Sequence, residues 1–273
     1  MTAHPATAGG NPFRRMGALV LRNLYLVRSS WPRVIEMAYW PTVQMIIWGF
    51  ITKFFLTHSS WLVEAAGALI AAVLLWDTMF RGNLGVAVSF LEEMWSRNLA
   101  QIFVAPLRPW ELVGALTGIS LIRTLIGVVP AAVLAIPLYD YSIFAMGLPL
   151  LAFFTNILVM GWSVGLVVAG IVLRFGLGAE GLAWLAIFAF APLSGVYYPI
   201  ATLPPWLQPV AWALPSSYVF EGMRAVLFDG VFRWDLFAWS VGLNALYLGL
   251  AAAFFLGMFR VARHRGLLLD VGE

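Results

Sequence analysis

Cysteine is absent from the 273-residue chain, which carries three histidines and, at Lys53, one lysine. Without cysteine there are no disulfides and no thiolate-held metals. A G-x-x-x-x-G-K-[ST] phosphate loop needs its lysine behind a glycine-rich turn, but Lys53 stands in Ile51-Thr52-Lys53, so the chain is not an ATPase. His4, His58 and His264 are far apart and lie outside the long apolar stretches, which leaves neither an H-E-x-x-H zinc site nor an intramembrane serine-histidine pair. No catalytic set and no metal or cofactor site emerges. Charge is scarce too: 11% of residues are Asp, Glu, Lys or Arg, against roughly 25% in soluble domains. The pI near 9.4 comes from scattered arginines with no basic, aromatic-interleaved run, which argues against nucleic acid as a partner.

What the chain has in quantity is apolar sequence, at 62% of residues and a mean hydropathy of +0.89. Six stretches are long enough to cross a bilayer: Val34 to Leu56, Leu62 to Phe90, Leu112 to Leu138, Met146 to Arg174, Glu180 to Tyr198 and Asp235 to Phe259. Eleven cations, among them Arg14, Arg15, Arg97, Arg108, Arg174 and Arg260, fall before the first stretch or in every second gap. The opposite gaps hold three, Lys53, Arg224 and Arg233, while Arg81 and Arg123 lie within stretches. Short cation-rich segments are retained in the cytoplasm, so both termini are expected inside. Residues 1–33 form a cytoplasmic N-terminus, 34–259 one six-span membrane domain and 260–273 a cytoplasmic tail. The first residues lack a cleavable signal's apolar core, which leaves the first span as the targeting signal.

Between Pro12 and Trp31, Phe13, Met16, Val20, Leu24, Val27 and Trp31 make a helical stripe with the arginines off it. The pattern fits a helix lying in the membrane interface, or a downward extension of the first span. After the second span, Leu91, Met94, Trp95, Leu99, Ile102 and Phe103 repeat the pattern opposite Glu92, Glu93, Ser96, Arg97 and Gln101, which predicts a short amphipathic cytoplasmic helix ended by Pro106 and Pro109. Between the fifth and sixth spans, Pro199, Pro204, Pro205, Pro209 and Pro215 cut an apolar run into pieces too short to cross. Such pieces either dip into the outer half of the membrane against protein or lie on its surface as a cap. Ser216 or Ser217 is placed to cap a helix through about Phe228, with Gly230 as its stop.

Asp77 and Arg81 are four apart on one face of the second span, where pairing lowers the cost of charge in lipid. They are either a pathway-lining switch or a structural ion pair. Gln44 and Asn156 are further intramembrane polar candidates, and Glu36 and Arg123 sit near span ends where snorkelling would satisfy them. Gly114-x-x-x-Gly118 and Gly161-x-x-x-Gly165 permit close helix approach, within one subunit or between two. Ser194-Gly195 after Pro192 fits a kink better than a nucleophile.

This order of parts, together with Phe90-Leu91-Glu92-Glu93-Met94-Trp95-Ser96-Arg97-Asn98-Leu99 and Ala105-Pro106-Leu107-Arg108-Pro109-Trp110-Glu111, resembles the permease subunits of type-2 ABC exporters over nearly the whole chain. Pro192-Leu193-Ser194-Gly195-Val196-Tyr197-Tyr198-Pro199 is similar to that family's outer segment. The resemblance implies an all-α integral membrane protein of the bacterial inner membrane, paired with a second copy of itself and with a separate ABC ATPase subunit that holds ATP and Mg. It implies a coupling site at Glu92, Glu93 and Arg97, with Trp95 anchoring the coupling helix to the permease. Tyr197, Tyr198 and Pro199 become the candidate outer gate. The expected activity is export of an amphiphilic, lipid-like or drug-like substrate, with a polysaccharide or glycolipid as the alternative cargo. From other classes, a membrane-embedded enzyme lacks a convergent acid, base or nucleophile, and a self-sufficient channel leaves residues 91–103 without a task.

Overall fold

The computed structural model describes residues 11–58, 63–96 and 107–265. All regular elements among them are helical. They run α1 (Pro12–Arg28), α2 (Trp31–His58), α3 (Val63–Trp95), α4 (Pro109–Tyr139), α5 (Leu148–Phe175), α6 (Leu182–Phe190), α7 (Gln208–Trp212), α8 (Pro215–Arg224) and α9 (Trp234–Arg265). Five of these, α2, α3, α4, α5 and α9, are long and apolar enough to cross a membrane.

Local chemistry sets the helix ends. Asn11 accepts a hydrogen bond from the Phe13 amide at 3.0 Å and Pro12 opens α1, a preferred start because proline has no amide to leave unpaired. The carboxylate of Glu111, in the first turn of α4, accepts from the Arg108 amide at 3.0 Å, and Asp140, left-handed at φ 52°, ends that helix.

α3 is the centre of the bundle and packs on α2, α4, α5 and α6. Its contacts also give direction. Gly161 and Gly165 of α5 lie against Met79 and Asn83 of α3, so the two run parallel. Asn156 and Gly170 of α5 meet Asn244 and Phe254 of α9, which is therefore parallel to both. Opposite to these run α2 and α4, with Arg81 at Gly127 and Gly85 at Ser120. One end of the bundle thus carries the arginine-rich segments of α1, the start of α4 and the end of α9. The far end carries Lys53 and Arg233.

The glycine motifs act inside this one chain. A Cβ added to Gly161 would lie 2.5 Å from the Met79 carbonyl oxygen and one at Gly165 2.7 Å from that of Asn83, so the backbones of α3 and α5 touch only because both are glycine. Gly161→Val is expected to wedge these helices apart and to lower the thermal unfolding temperature in detergent, at about 1–3 kcal/mol for an overpacked core. An unchanged unfolding curve would refute the contact. Gly114 and Gly118 serve α1: a Cβ on the first would lie 2.6 Å from Met16 Sδ and on the second 3.5 Å from a Val20 methyl.

That contact gives the middle of the α1 stripe a protein partner. Met16 and Val20 face Gly114 and Gly118, and Asn23 meets Arg123, so the middle of the stripe is spent on α4. Phe13 and Trp31 at its two ends remain exposed.

The fifth predicted span is also different from expectation. Over Glu180 to Tyr198 only α6 is helical, nine residues or about 14 Å, and Ala191 to Tyr198 are turns. Proline clashes with the carbonyl four residues before it in a helix, and Pro192 ends α6 for that reason. Since α5 and α9 are parallel, the chain between them still has to climb back, and it does so with α6 followed by this turn segment. Tyr197 reaches the level of Trp48 near the far end of α2, where the rings stack at 4.7 Å. Of the stretch expected as an amphipathic helix, 91–103, Leu91 to Trp95 continue α3 without a break, while residues 97–106, and with them Arg97, lie outside the described residues.

Candidate functional site

Two arginines of α1 hold the two stalks from which residues 97–106 emerge. Arg22 Nη2 donates to both carboxylate oxygens of Glu93, at the end of α3, at 2.7 and 2.8 Å. About two turns earlier on α1, Arg15 forms a two-point pair with Glu111 at the start of α4, Nε to Oε2 at 2.9 Å and Nη2 to Oε1 at 2.5 Å. Glu92 turns the other way. It receives Arg123 Nη2 of α4 at 2.6 Å, with Arg33 of α2 at 3.8 Å, and Arg123 also donates to the Asn23 side chain at 3.0 Å.

The result is a clamp in which α1 bridges α3 and α4, and Arg123 ties α3 to α4 directly. Two-point guanidinium-carboxylate pairing fixes orientation as well as distance, because the planar fork matches the carboxylate plane. The Glu111 side chain is fully buried and that of Arg15 nearly so. The ends of α3 and α4 that flank residues 97–106 are thus tied to α1 and to each other.

Glu92 and Glu93, assigned from sequence to a partner-facing surface, are thus engaged within the chain. Trp95, assigned to anchoring, is half-exposed beyond them. Sequence reasoning missed Arg15, Arg22, Glu111 and Asn23. The α1 arginines read as orientation signals and Arg123 as a snorkelling cation. One signal was available: Glu111 follows Pro109 at the third helical position, where a carboxylate reaches back to the preceding amide.

Higher in α3, Arg81 Nε donates to Asp77 Oδ2 at 2.7 Å with both side chains nearly buried. Arg81 lies over Gly127 of α4, beside the Met37 carbonyl of α2, so the pair sits where three helices meet. Gln44 is on the exposed side of α2, in line with Tyr39, Trp40, Ile47 and Phe50. Asn156 is buried: its Oδ1 accepts from Ser240 at 3.2 Å and from Asn244 at 3.0 Å, joining α5 to α9.

At the far end, the proline-cut segment is held by side chains that replace missing helical hydrogen bonds. Ser194 Oγ donates to the Phe190 carbonyl at 2.8 Å and accepts from Ser216 Oγ at 2.8 Å, which makes it a structural serine at a kink. Gly195 follows at φ 64°, a left-handed turn that glycine adopts without strain. Ser217 donates to the Ala211 carbonyl at 2.6 Å, so neither serine caps α8, whose first turn is opened by Pro215 instead. Beyond α8 a π turn over Ala225–Asp229 reaches Gly230, left-handed at φ 66°, which stops the helix as expected. Glu221 of α8 accepts from the Ile200 amide at 2.7 Å and pairs with Arg224 at 3.1 Å, an anchor that sequence reading missed. Tyr198 donates to the Pro192 carbonyl at 2.7 Å, and Pro199 precedes a 3₁₀ turn, Ile200–Thr202. Tyr141, in the turn after α4, is partly buried, and desolvation pushes its phenol up to about 12.

Five helices long and apolar enough to cross a membrane, packed around apolar cores and tied at one end by ion pairs, mark an integral membrane protein. The chain belongs to the ABC-2 type transporter family, whose model matches residues 18–228. It is 28% identical over 156 residues to the "Probable multidrug ABC transporter permease YbhR" of Escherichia coli (strain K12), and equally to the protein of that name in Escherichia coli O157:H7. The match covers 55% of this chain and 40% of each relative, so the chain spans less than half the length of the relatives it matches.

Proposed function

We propose that this permease forms, as two copies, the export pathway for an amphiphilic or drug-like compound, driven by a separate ABC ATPase subunit that binds ATP and Mg. The observation that carries this reading is the clamp. Residues 97–106 hang from two stalks, α3 and α4, and Arg22 and Arg15 of one helix hold both. An ATPase pair that closes on nucleotide and shifts this segment would move α1, α3 and α4 as one body, and through α3 the bundle's centre. Trp95 and Arg97 are the residues offered to the ATPase, with Glu92 and Glu93 transmitting the push from behind.

The arginine-rich end is the cytoplasmic side of the inner membrane in this reading, with both termini there, as the cation bias supports. α2 is the face for the second copy. Most of its surface stays uncovered in one chain, and Glu36 and Gln44 interrupt that apolar face where a shared pathway needs polar groups. Tyr197 stacked on Trp48 then closes its outer end. The relatives' "multidrug" name supports a lipophilic cargo.

The test uses inverted vesicles containing this chain with its ATPase subunit and a lipophilic dye. Dye uptake should require ATP and stop with vanadate. Nucleotide-independent dye flux through the chain alone would overturn the reading in favour of a channel.

A further inference from the structure

α1 carries four arginines and no acidic residue. Two of them are spent inside the chain, Arg15 on Glu111 and Arg22 on Glu93. The other two, Arg14 and Arg28, are exposed, and neither has a carboxylate partner among the described residues. At 3.6 residues per turn, Arg14, Ala18, Leu21, Tyr25 and Arg28 share one face, and all five are exposed. This face points away from α4, because Met16, Val20 and Asn23 on the opposite side make the contacts with that helix.

The length of α4 sets the level of this face. α4 has 31 residues, about 46 Å, against a hydrocarbon core of roughly 30 Å, so about 16 Å of it projects. The surplus is at its start: Glu111 and Arg123 lie in the first half, and no charged residue follows until Asp140 ends the helix. α1 packs on that first part, Met16 at Gly114 and Val20 at Gly118, and so stands at the level of the lipid headgroups. Exposed cations beside exposed aromatic residues, here Phe13, Tyr25 and Trp31, suit a helix surface at that level. A second copy docked here about a two-fold axis would set Arg14 and Arg28 against the same cations of its partner. We infer that the outward face of α1 binds acidic phospholipid headgroups, with Arg14 and Arg28 donating to their phosphate oxygens and Leu21 and Tyr25 resting on the lipid between them. Because the same helix pairs with Glu93 and Glu111, the bound lipids hold the clamp at the membrane surface. Which leaflet supplies them rests on the orientation proposed above; the binding itself does not.

Since the chain has no cysteine, Leu21→Cys gives a single labelling site on an exposed side chain in the middle of this face. The full-length chain with bimane at that position is placed in phosphatidylcholine nanodiscs, and a brominated lipid, either phosphatidylglycerol or phosphatidylcholine with bromines on acyl carbons near the glycerol, is titrated in. The acidic lipid should reach half-maximal quenching at about fivefold lower mole fraction than the zwitterionic one, the range of one arginine near a charged membrane surface. Adding Arg14→Gln and Arg28→Gln should bring the two lipids level, with quenching by phosphatidylcholine unchanged. Equal quenching by the two lipids without those substitutions would overturn the charge assignment, and a preference that survives them would overturn the choice of residues. No quenching by either lipid would show that protein covers the face, and would overturn the site. Both leaflets of the nanodisc have the same composition and no transport is measured, so failure here leaves the exporter reading standing, and failure of that reading leaves this site standing.

Discussion

Glu93→Arg is expected to reduce ATP-driven dye transport more than tenfold, and adding Arg22→Glu in the same chain to restore at least half of it. In the wild type, Arg22 Nη2 lies within 2.8 Å of both Glu93 oxygens. The single reversal sets two cations against each other and frees α1 from one stalk. The double reversal rebuilds the pair with its polarity inverted. If Glu93 instead gave its charge to the ATPase, swapping Arg22 would restore nothing, so transport in vesicles distinguishes the internal clamp from a docking contact. Co-purification of the ATPase separates loss of coupling from loss of assembly: the single variant should keep its partner. A dead double variant that still assembles would refute the clamp as the coupling element.

The bundle was largely legible in the sequence because membrane spans obey one loud constraint. Backbone polar groups must be satisfied within the segment, so long apolar helices follow from composition alone. Val34 to Leu56 and Asp235 to Phe259 fall within α2 and α9 for that reason. The segment from Glu180 to Tyr198 was read as a span because its apolar length sufficed, yet one internal proline, Pro192, turned its second half into a serine-bonded turn. Length reports hydrophobicity and says little about whether the backbone stays helical.

The clamp was hidden for a different reason. A stripe of Met16, Val20, Leu24 and Val27 reads the same whether lipid or protein covers it, and only Gly114 and Gly118, nearly a hundred residues later, supply the complementary groove. Once α1 docks there, Arg15 and Arg22 are brought to Glu111 and Glu93. Sequence patterns give the periodicity of a face; its occupant is a long-range fact. Asp77 and Arg81 were legible because four-residue spacing is local.

Arg81→Met is expected to destabilise the bundle by about 3–5 kcal/mol, the cost of leaving a buried carboxylate without its cation. Asp77 is 7% exposed and its partner Arg81 is one turn away on the same helix, so removing Arg81 leaves the carboxylate buried without that cation. Adding Asp77→Leu removes the charge itself. Replacing a buried ion pair by apolar groups of similar volume is often neutral or stabilising, so the double variant should melt near the wild type in detergent. Transport then separates the two readings of the pair. A structural tie holds α3 against Gly127 of α4 and the Met37 carbonyl of α2 by packing, which the methionine side chain retains. The expected result is a double variant that is both stable and active. A double variant that melts like the wild type but no longer exports dye would show instead that the charges themselves are needed during the cycle, and would make Asp77 and Arg81 the intramembrane switch.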